Sequence, residues 1–299
     1  MAKKKKRKAG SIAVPFLITV FVGLLIVGGV AFGLFKYFGL GKGGELKPPT
    51  PRAVGTTTVE DNHTILFILD EPDKKCSSTF VLMRSRPIDK SLLFIGIPTN
   101  TVTVVDGQQQ NLKSQYERAG AASAAKFTEA LFGITVDRYM KVSPEALIKI
   151  CDVLGGVSYP VNVDIAGFNS DGTDQYLNSE QIERFVTYSM FPDGEVQRAY
   201  IASSVVADMI NQTNGERFAS NLDNNFTSVI NMTTDSNITS VDYRNRKDAI
   251  KNMFTRGSAI ASFLILDGTT SYEDFIPSQS FVNDIRKEYF AEAPTEAAN

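Results

Sequence analysis

The sequence predicts a layered α/β sandwich with a mixed central sheet, set behind an N-terminal transmembrane helix. Three observations predict it. Apolar runs that stop at turn or polar residues, such as residues 64–69 and 92–97, read as buried strands. Capped amphipathic segments alternate with those runs, which is the order of a layered α/β domain. Residues 11–35 form a stretch of 25 residues without a charge, long enough to cross a bilayer core as a helix.

The span comes first in the chain. Lys3, Lys4, Lys5, Lys6, Arg7 and Lys8 precede it, so residues 1–10 form a basic cytoplasmic tail and the remainder lies outside the membrane. A cleavable signal carries a shorter apolar region that ends at a small-x-small site, so residues 11–35 read as an uncleaved anchor. A basic block also suits a nuclear signal, but beside a spanning segment it sets topology. Residues 36–58 are rich in Gly, Pro and Thr without an apolar period, which makes them a tether. Residues 59–290 are long enough for one sizeable core, and residues 291–299 are small and polar, a frayed tail.

Within the domain, strands are expected at residues 64–69, 79–84, 92–97, 138–142, 158–163 and 259–266. An alanine-rich helix over 121–132 ends at Gly133. Ser143 caps a helix with Pro144 at its first position, and that helix stops at Gly155-Gly156. Asn178 and Gln181 form a capping box, after which Ile182, Phe185, Val186 and Ser189 share a face. Ile201, Val205 and Met209 recur at four-residue spacing in the next helix. Residues 214–254 read as helical with Asn/Thr-rich interruptions. Long strand-to-strand loops favour a mixed sheet over an all-parallel one.

Charge excludes one class of partner. The first 50 residues hold nine of the 31 Lys/Arg and one of the 33 acids, so the other 249 residues carry a formal charge of −10. An acidic outer domain is a poor partner for nucleic acid, which needs a basic face. His63 is the sole histidine, and no triad or metal set can be built around it. Cys76 and Cys151 are the only cysteines; a disulfide is permitted outside the membrane, and a buried free thiol at Cys151 is the alternative. Asn-x-Ser/Thr triplets at Asn62, Asn211, Asn225, Asn231 and Asn237 read as polar loop chemistry.

Four stretches in order carry a resemblance. They are Thr64-Ile-Leu-Phe-Ile-Leu-Asp70, Leu92-Leu-Phe-Ile-Gly-Ile-Pro-Thr-Asn-Thr101, Leu154-Gly-Gly-Val157, and Leu177-Asn-Ser-Glu-Gln181 running on to Arg198. Their order behind an anchor resembles the LytR-CpsA-Psr family of cell-envelope proteins. The resemblance implies a three-layer α/β/α sandwich outside the membrane, with an apolar pocket for a polyprenyl chain. It also implies arginines and aspartates at the pocket mouth that grip a pyrophosphate and Mg²⁺, and transfer of a glycopolymer phosphate from a lipid carrier to peptidoglycan. Arginine suits phosphate through its planar fork, and carboxylates suit magnesium as hard oxygen ligands.

Residue by residue, most of those charges are replaced. The family's Arg-x-Asp-Thr falls on Cys76, Ser77, Ser78 and Thr79, and its Pro-Arg-Asp-Thr on Pro98, Thr99, Asn100 and Thr101. The Lys-Ile-Asn element resembles Asn111-Leu112-Lys113, followed by Tyr116 and Gly120. The Arg-x-Arg pair falls on Thr187 and Ser189. The final Asp-x-x-Arg-x-x-Arg-Gln becomes Glu195, Arg198, Ile201 and Ala202, so Arg198 matches and Glu195 is a conservative change. Pocket-mouth candidates are therefore Arg198, Glu195, Ser78, Thr99, Asn100, Lys113, Thr187 and Ser189, with no metal ligand and no confident catalytic residue. Arg198 also reads as an i, i+3 partner of Glu195. Arg84, Arg86 and Arg118 are compensating cations if they lie nearby, and Asp70, Glu71 and Asp73 read as solvated loop charge.

Each charge-assisted hydrogen bond to a pyrophosphate contributes on the order of 1.5–3 kcal/mol, so losing three or four arginines removes most of the grip. Phosphoryl transfer depends mainly on charge stabilisation and positioning. No cofactor is expected, with Mg²⁺ required only if catalysis survives. Three readings follow: an anchored lipid- or partner-binding scaffold, an active transferase with rearranged charges, and an anchored regulatory protein without a ligand pocket. A long apolar cavity between sheet and helices separates the first from the third.

Overall fold

The computed structural model describes residues 57–70, 78–256 and 259–291. The span at 11–35, most of the tether, Glu71, Asp73, Cys76 and nearly all of the tail lie outside the described residues. Among the described residues no helix is long and apolar enough to cross a membrane.

After a short 3-10 turn at Val59–Asp61, strands β1 (His63–Leu69), β2 (Thr79–Arg86) and β3 (Ser91–Ile97) form an antiparallel meander. A hairpin of β4 (Val102–Val105) and β5 (Gln108–Asn111) leads into helix α1 (Leu112–Phe132). Strand β6 (Arg138–Val142) pairs parallel to β1, and helix α2 (Pro144–Leu154) follows. A second hairpin, β7 (Val157–Pro160) and β8 (Asp174–Leu177), precedes helices α3 (Ser179–Val186), α4 (Gly194–Gln212), α5 (Gly215–Ser220) and α6 (Leu222–Met232). Edge strand β9 (Thr233–Ser236), helix α7 (Ser240–Arg256) and edge strand β10 (Ala261–Ile265) complete the main sheet. Hairpin β11 (Gly268–Ser271) and β12 (Asp274–Pro277), helix α8 (Gln279–Ile285) and a π-turn at Arg286–Phe290 close the domain.

The six-stranded sheet runs β10-β3-β2-β1-β6-β9 and is mixed, with β1–β6 and β3–β10 parallel and the other pairs antiparallel. Central strands covered on both sides read as continuous apolar runs, which is why β1 and β3 stand out in the sequence. Side chains alternate between two cores. Leu66, Ile68, Phe80, Leu82, Leu93 and Ile95 pack with Phe127, Phe132, Val282 and Ile285 of α1 and α8. Phe67, Leu69, Val81, Leu92 and Phe94 pack on the other face against residues of α4 to α7 and the hairpin at 157–177. Helices therefore cover both faces.

Local chemistry sets the helix ends where the sequence places them. Ser143 accepts from the Ala146 amide at 3.3 Å, and Pro144 opens α2. Asn178 and Gln181 close a reciprocal capping box on α3. Gly133 ends α1 in the left-handed region at φ 64. Several expectations are corrected. Helix α1 starts at Leu112, nine residues before 121, because Asn111 caps it; Gly120, at φ 72 and ψ −162, breaks it into two pieces that read as separate elements. The run at 158–163 is strand only over Val157–Pro160, paired with β8 outside the main sheet, since Val161 and Val163 are buried in a loop. The strand expected at 259–266 is Ala261–Ile265. The Thr-rich break at 233–236 is not a loop but β9, which pairs with β6.

Gly96 fixes how closely α4 approaches β3. A Cβ there would lie 1.9 Å from the Ala199 carbonyl oxygen, which is backbone and cannot swing aside. Gly96→Ala is expected to lift α4 and cost about 2 kcal/mol or more in urea unfolding, as overpacked cores do. An unchanged midpoint would contradict this close approach.

Candidate functional site

Strands β1, β3 and β6 share one direction, so their carboxyl ends lie on the same edge of the sheet, where open α/β sheets bind ligands. Among the described residues, two polar groups occupy that edge. The first is built on the turn after β3. Thr101 donates to the Pro98 carbonyl through both its amide (3.0 Å) and its hydroxyl (2.6 Å), which closes the turn. The Lys113 amide holds the Thr99 carbonyl at 3.0 Å. Thr99 then donates its hydroxyl to Glu195 Oε2 at 2.6 Å, and Arg198 pairs with the same carboxylate oxygen one turn further along α4. Thr99 and Arg198 are 3% and 2% exposed, while the Glu195 side chain keeps 31% of its surface in solvent, so a buried guanidinium is paired with a half-exposed carboxylate.

The second group centres on Asp70, just beyond β1. Its Oδ1 accepts from the Tyr116 hydroxyl at 2.7 Å and from Ser78 at 3.3 Å, and its Oδ2 pairs with Lys141 of β6 at 3.0 Å. Lys141 also lies over the Tyr116 ring, 5.8 Å from its centroid. Burial alone would raise the Asp70 carboxyl, but the hydrogen bonds from Tyr116 and Lys141 outweigh it and hold it below its ordinary 3.8. Burial, then the bond to Asp70, pushes the Tyr116 phenol up. β2 lies between β1 and β3, so the two groups stand about 10 Å apart at ordinary strand spacing.

Behind this edge runs a cavity of about 380 Å³ between the second face of the sheet and helices α2 to α7. Its walls include Phe67, Leu69, Val81, Met83, Val205 and Phe226. It extends along β1 from Leu69 at the carboxyl end to His63 at the amino end, roughly 20 Å at strand rise. No Lys, Arg, Asp or Glu lines it among the described residues. Ala202, one turn after Arg198, is part of the wall, so Arg198 lies one helical turn from the cavity. Cys151 also lines it as a buried free thiol, pushed up to about 12 mainly by burial and therefore inert.

Of the sequence candidates, Thr99, Glu195 and Arg198 come together, and Ser78 joins the Asp70 group. Asn100 turns away, donating to the Glu273 carbonyl at 2.7 Å and so tying the turn to the β11–β12 hairpin. The Lys113 side chain is exposed and pairs loosely with Glu117 at 4.0 Å; only its backbone serves the site. Thr187 bonds back to the Glu183 carbonyl as the cap of α3, and Ser189 is exposed beyond the helix end, off the face expected for it. The compensating cations are elsewhere too: Arg84 binds Thr64 near the opposite end of β2, Arg86 pairs with Asp89, and Arg118 bonds Gln115. Asp70 is no solvated loop charge. The signal for it was its place directly after an apolar strand, where a carboxylate meets the functional edge.

Among the described carboxylates at this edge, Glu195 and Asp70 are both engaged by protein donors. Glu195 Oε2 is shared by Arg198 and Thr99, and both Asp70 oxygens are taken by cationic or hydroxyl donors. Among the described residues no group of three or more His, Cys, Asp and Glu is placed to hold a metal ion.

Comparison with known proteins agrees with this architecture. A model of the LytR_cpsA_psr family matches residues 47–279, well over half of the chain. The chain belongs to the LytR-CpsA-Psr family. Biofilm regulatory protein A of Streptococcus mutans is 22% identical over 68% of this chain, which spans 57% of that relative's length. A crystal structure titled as a putative transcription regulator from Eubacterium siraeum superposes with TM-score 0.68 at 20% identity, covering 82% of this chain and 98% of that one. B. subtilis TagV gives 0.60 at 16% identity over 76% and 94%, and TagT bound to LI-WTA gives 0.61 at 15% over 80% and 94%. At these identities the likeness is one of fold. The LytR-CpsA-Psr fold, with its mixed sheet, is thus present.

A folded carboxyl held below its ordinary value stabilises above that value and loses the contribution as pH falls through the lower one. The stability difference between the parent and Asp70→Asn, read by urea unfolding, is expected to be full well above pH 3.8 and to narrow below it. A second outcome concerns the buried pair: Glu195→Ala leaves the Arg198 guanidinium without this partner and is expected to cost about 3 kcal/mol, against about 1 kcal/mol for Thr99→Val.

Proposed function

We propose that this protein is a membrane-anchored, extracytoplasmic cell-envelope scaffold that holds the hydrocarbon part of a lipid and does not transfer the group the lipid carries. One observation carries the reading: an apolar cavity runs the length of β1, and the cations at the sheet edge, Arg198 and Lys141, are each already paired with a carboxylate. Each buried methylene contributes about 0.8 kcal/mol before ordering costs, so such a cavity retains a chain without help from charge. A pyrophosphate arriving at this edge would have to displace Glu195 or Asp70 from their partners, and it would meet their negative charge. The basic segment ahead of residues 11–35 supports the anchor and its orientation.

A polyprenyl lipid, alone or carrying a cell-wall polymer, is the proposed ligand class; TagT, a neighbour in fold, is seen with LI-WTA bound. The acidic domain makes nucleic acid a poor partner. A regulatory role without any ligand pocket loses its premise in the presence of the cavity. The transferase reading would need free arginines where Thr99, Thr187 and Ser189 stand.

The test uses the full chain with a polyprenyl-pyrophosphate-linked substrate, with Mg²⁺ and with chelator. The lipid is expected to bind under both conditions, with affinities within about threefold, since a tenfold change needs about 1.4 kcal/mol of altered contact. No product is expected. Mg²⁺-dependent turnover abolished by Arg198→Ala would overturn the scaffold and restore the enzyme.

A further inference from the structure

The walls of the cavity are not equally firm. On the sheet side its ends are closed by buried residues, His63 and Ser85 at the amino end of β1 and Leu69 and Thr79 at the carboxyl end. Cys151 of α2, Val205 and Met209 of α4 and Met253 of α7 are buried wall residues too. Helix α6 is built otherwise. Leu222, at its first position, is its only buried residue, and its N-cap makes no side-chain bond to the helix. Asn225, Phe226 and Val229 of α6 line the cavity yet are only half-buried.

The first turn of α7 faces α6 across this side. The rings of Phe226 and Tyr243 stack there, with centroids 4.1 Å apart and planes 8° from parallel. Tyr243 also lines the cavity, and its hydroxyl donates to Asp223 Oδ1 at 2.6 Å. Asp223 Oδ2 pairs with Lys247, one turn along α7, at 2.5 Å. The Asp223 side chain keeps 62% of its surface in solvent, so a residue of the cavity wall is tied at its far end to a group on the outside. At this seam one pair of rings, latched by one exposed carboxylate, separates the cavity from solvent.

We propose that the seam between α6 and α7 is the portal of the cavity: a lipid chain enters sideways when the Asp223 latch opens and the Phe226 and Tyr243 rings part. The inference rests on the lipid-holding reading above and adds the route. End-on entry along the sheet would have to push aside buried residues of β1 and β2. Helix α6 can swing by giving up one stacked pair and two surface bonds. Segments with few buried apolar contacts open at the low end of the stability scale, and enclosed sites commonly admit ligand through such elements. A side portal also suits a polyprenyl chain, because a chain longer than the roughly 20 Å cavity can leave part of its length outside through the seam.

The experiment follows exchange. The full chain in detergent is loaded with radiolabelled geranylgeraniol, a prenyl alcohol, and release is timed after a chase of unlabelled alcohol; uptake is timed in the reverse arrangement. The latch closes the empty and the loaded cavity alike, so losing it lowers one barrier in both directions. Asp223→Ala is expected to speed uptake and release about fivefold each, with the bound fraction at equilibrium unchanged within about twofold. Asp106→Ala, which breaks an exposed ion pair with Lys126 away from the cavity, is expected to match the parent. Rates unchanged in Asp223→Ala would overturn the portal alone. Faster release with unchanged uptake would overturn it as well, because Asp223 would then support the grip on the lipid rather than the route. An equal rise in Asp106→Ala would do the same, since general loosening would then set the rates. No geranylgeraniol bound by the parent would overturn the lipid-holding reading and this inference with it.

Discussion

The seating of α4 on β3 decides the rest of the molecule. A side chain at residue 96 would collide with the Ala199 carbonyl, so only glycine lets the helix backbone settle onto the strand. That seating has two consequences one helical turn apart. Glu195 and Arg198 are delivered to the turn that follows β3, where Thr99 meets the carboxylate. Ala202, Val205, Val206 and Met209 are laid along the cavity as its wall. The polar edge and the apolar interior are therefore set by one backbone contact, and neither can shift without the other.

The electrostatics of the edge follow from what that contact brings together. A buried guanidinium needs a partner, because an uncompensated charge in a dry site costs several kcal/mol. In a phosphate-binding site the ligand supplies that partner. Here Glu195 supplies it from within the same helix, and Asp70 does the same for Lys141 across the sheet. Internal pairing stabilises the fold in the absence of any ligand, and it leaves the edge close to neutral. Apolar burial then becomes the main driving force for anything that enters the cavity.

Much of this was legible in the sequence, and the reasons differ by element. Strands β1 and β3 showed because they are buried on both faces and so lack a polar alternation. Helices α2 and α3 showed because Ser143-Pro144 and Asn178…Gln181 are local chemistry, independent of the rest of the chain. The family order of Thr99 and Arg198 correctly placed two residues that are 99 positions apart on one edge. What did not show were the features that exist only through long-range pairing. Strand β9 is polar and reads as a break, since its only structural cue is its partner β6. Helix α1 hid behind Gly120, whose left-handed φ interrupts the helix without ending it. Asp70 looked solvated because its partners, Tyr116 and Lys141, are 46 and 71 residues away. His63 and Ser85 carried no signal because their common feature is a cavity that no local pattern encodes.

Whether the cavity holds a lipid chain is tested most directly by extraction. The full chain is purified from cells in mild detergent, extracted with organic solvent, and the recovered lipid is quantified by mass spectrometry beside Val206→Trp, which fills the cavity from α4 without touching the polar edge. A chain lipid is expected in about equal amount to the protein from the parent and is expected to be lost from the filled variant, which still unfolds in one cooperative transition. No lipid from the parent, or the same lipid recovered equally from both, would contradict a lipid-holding cavity.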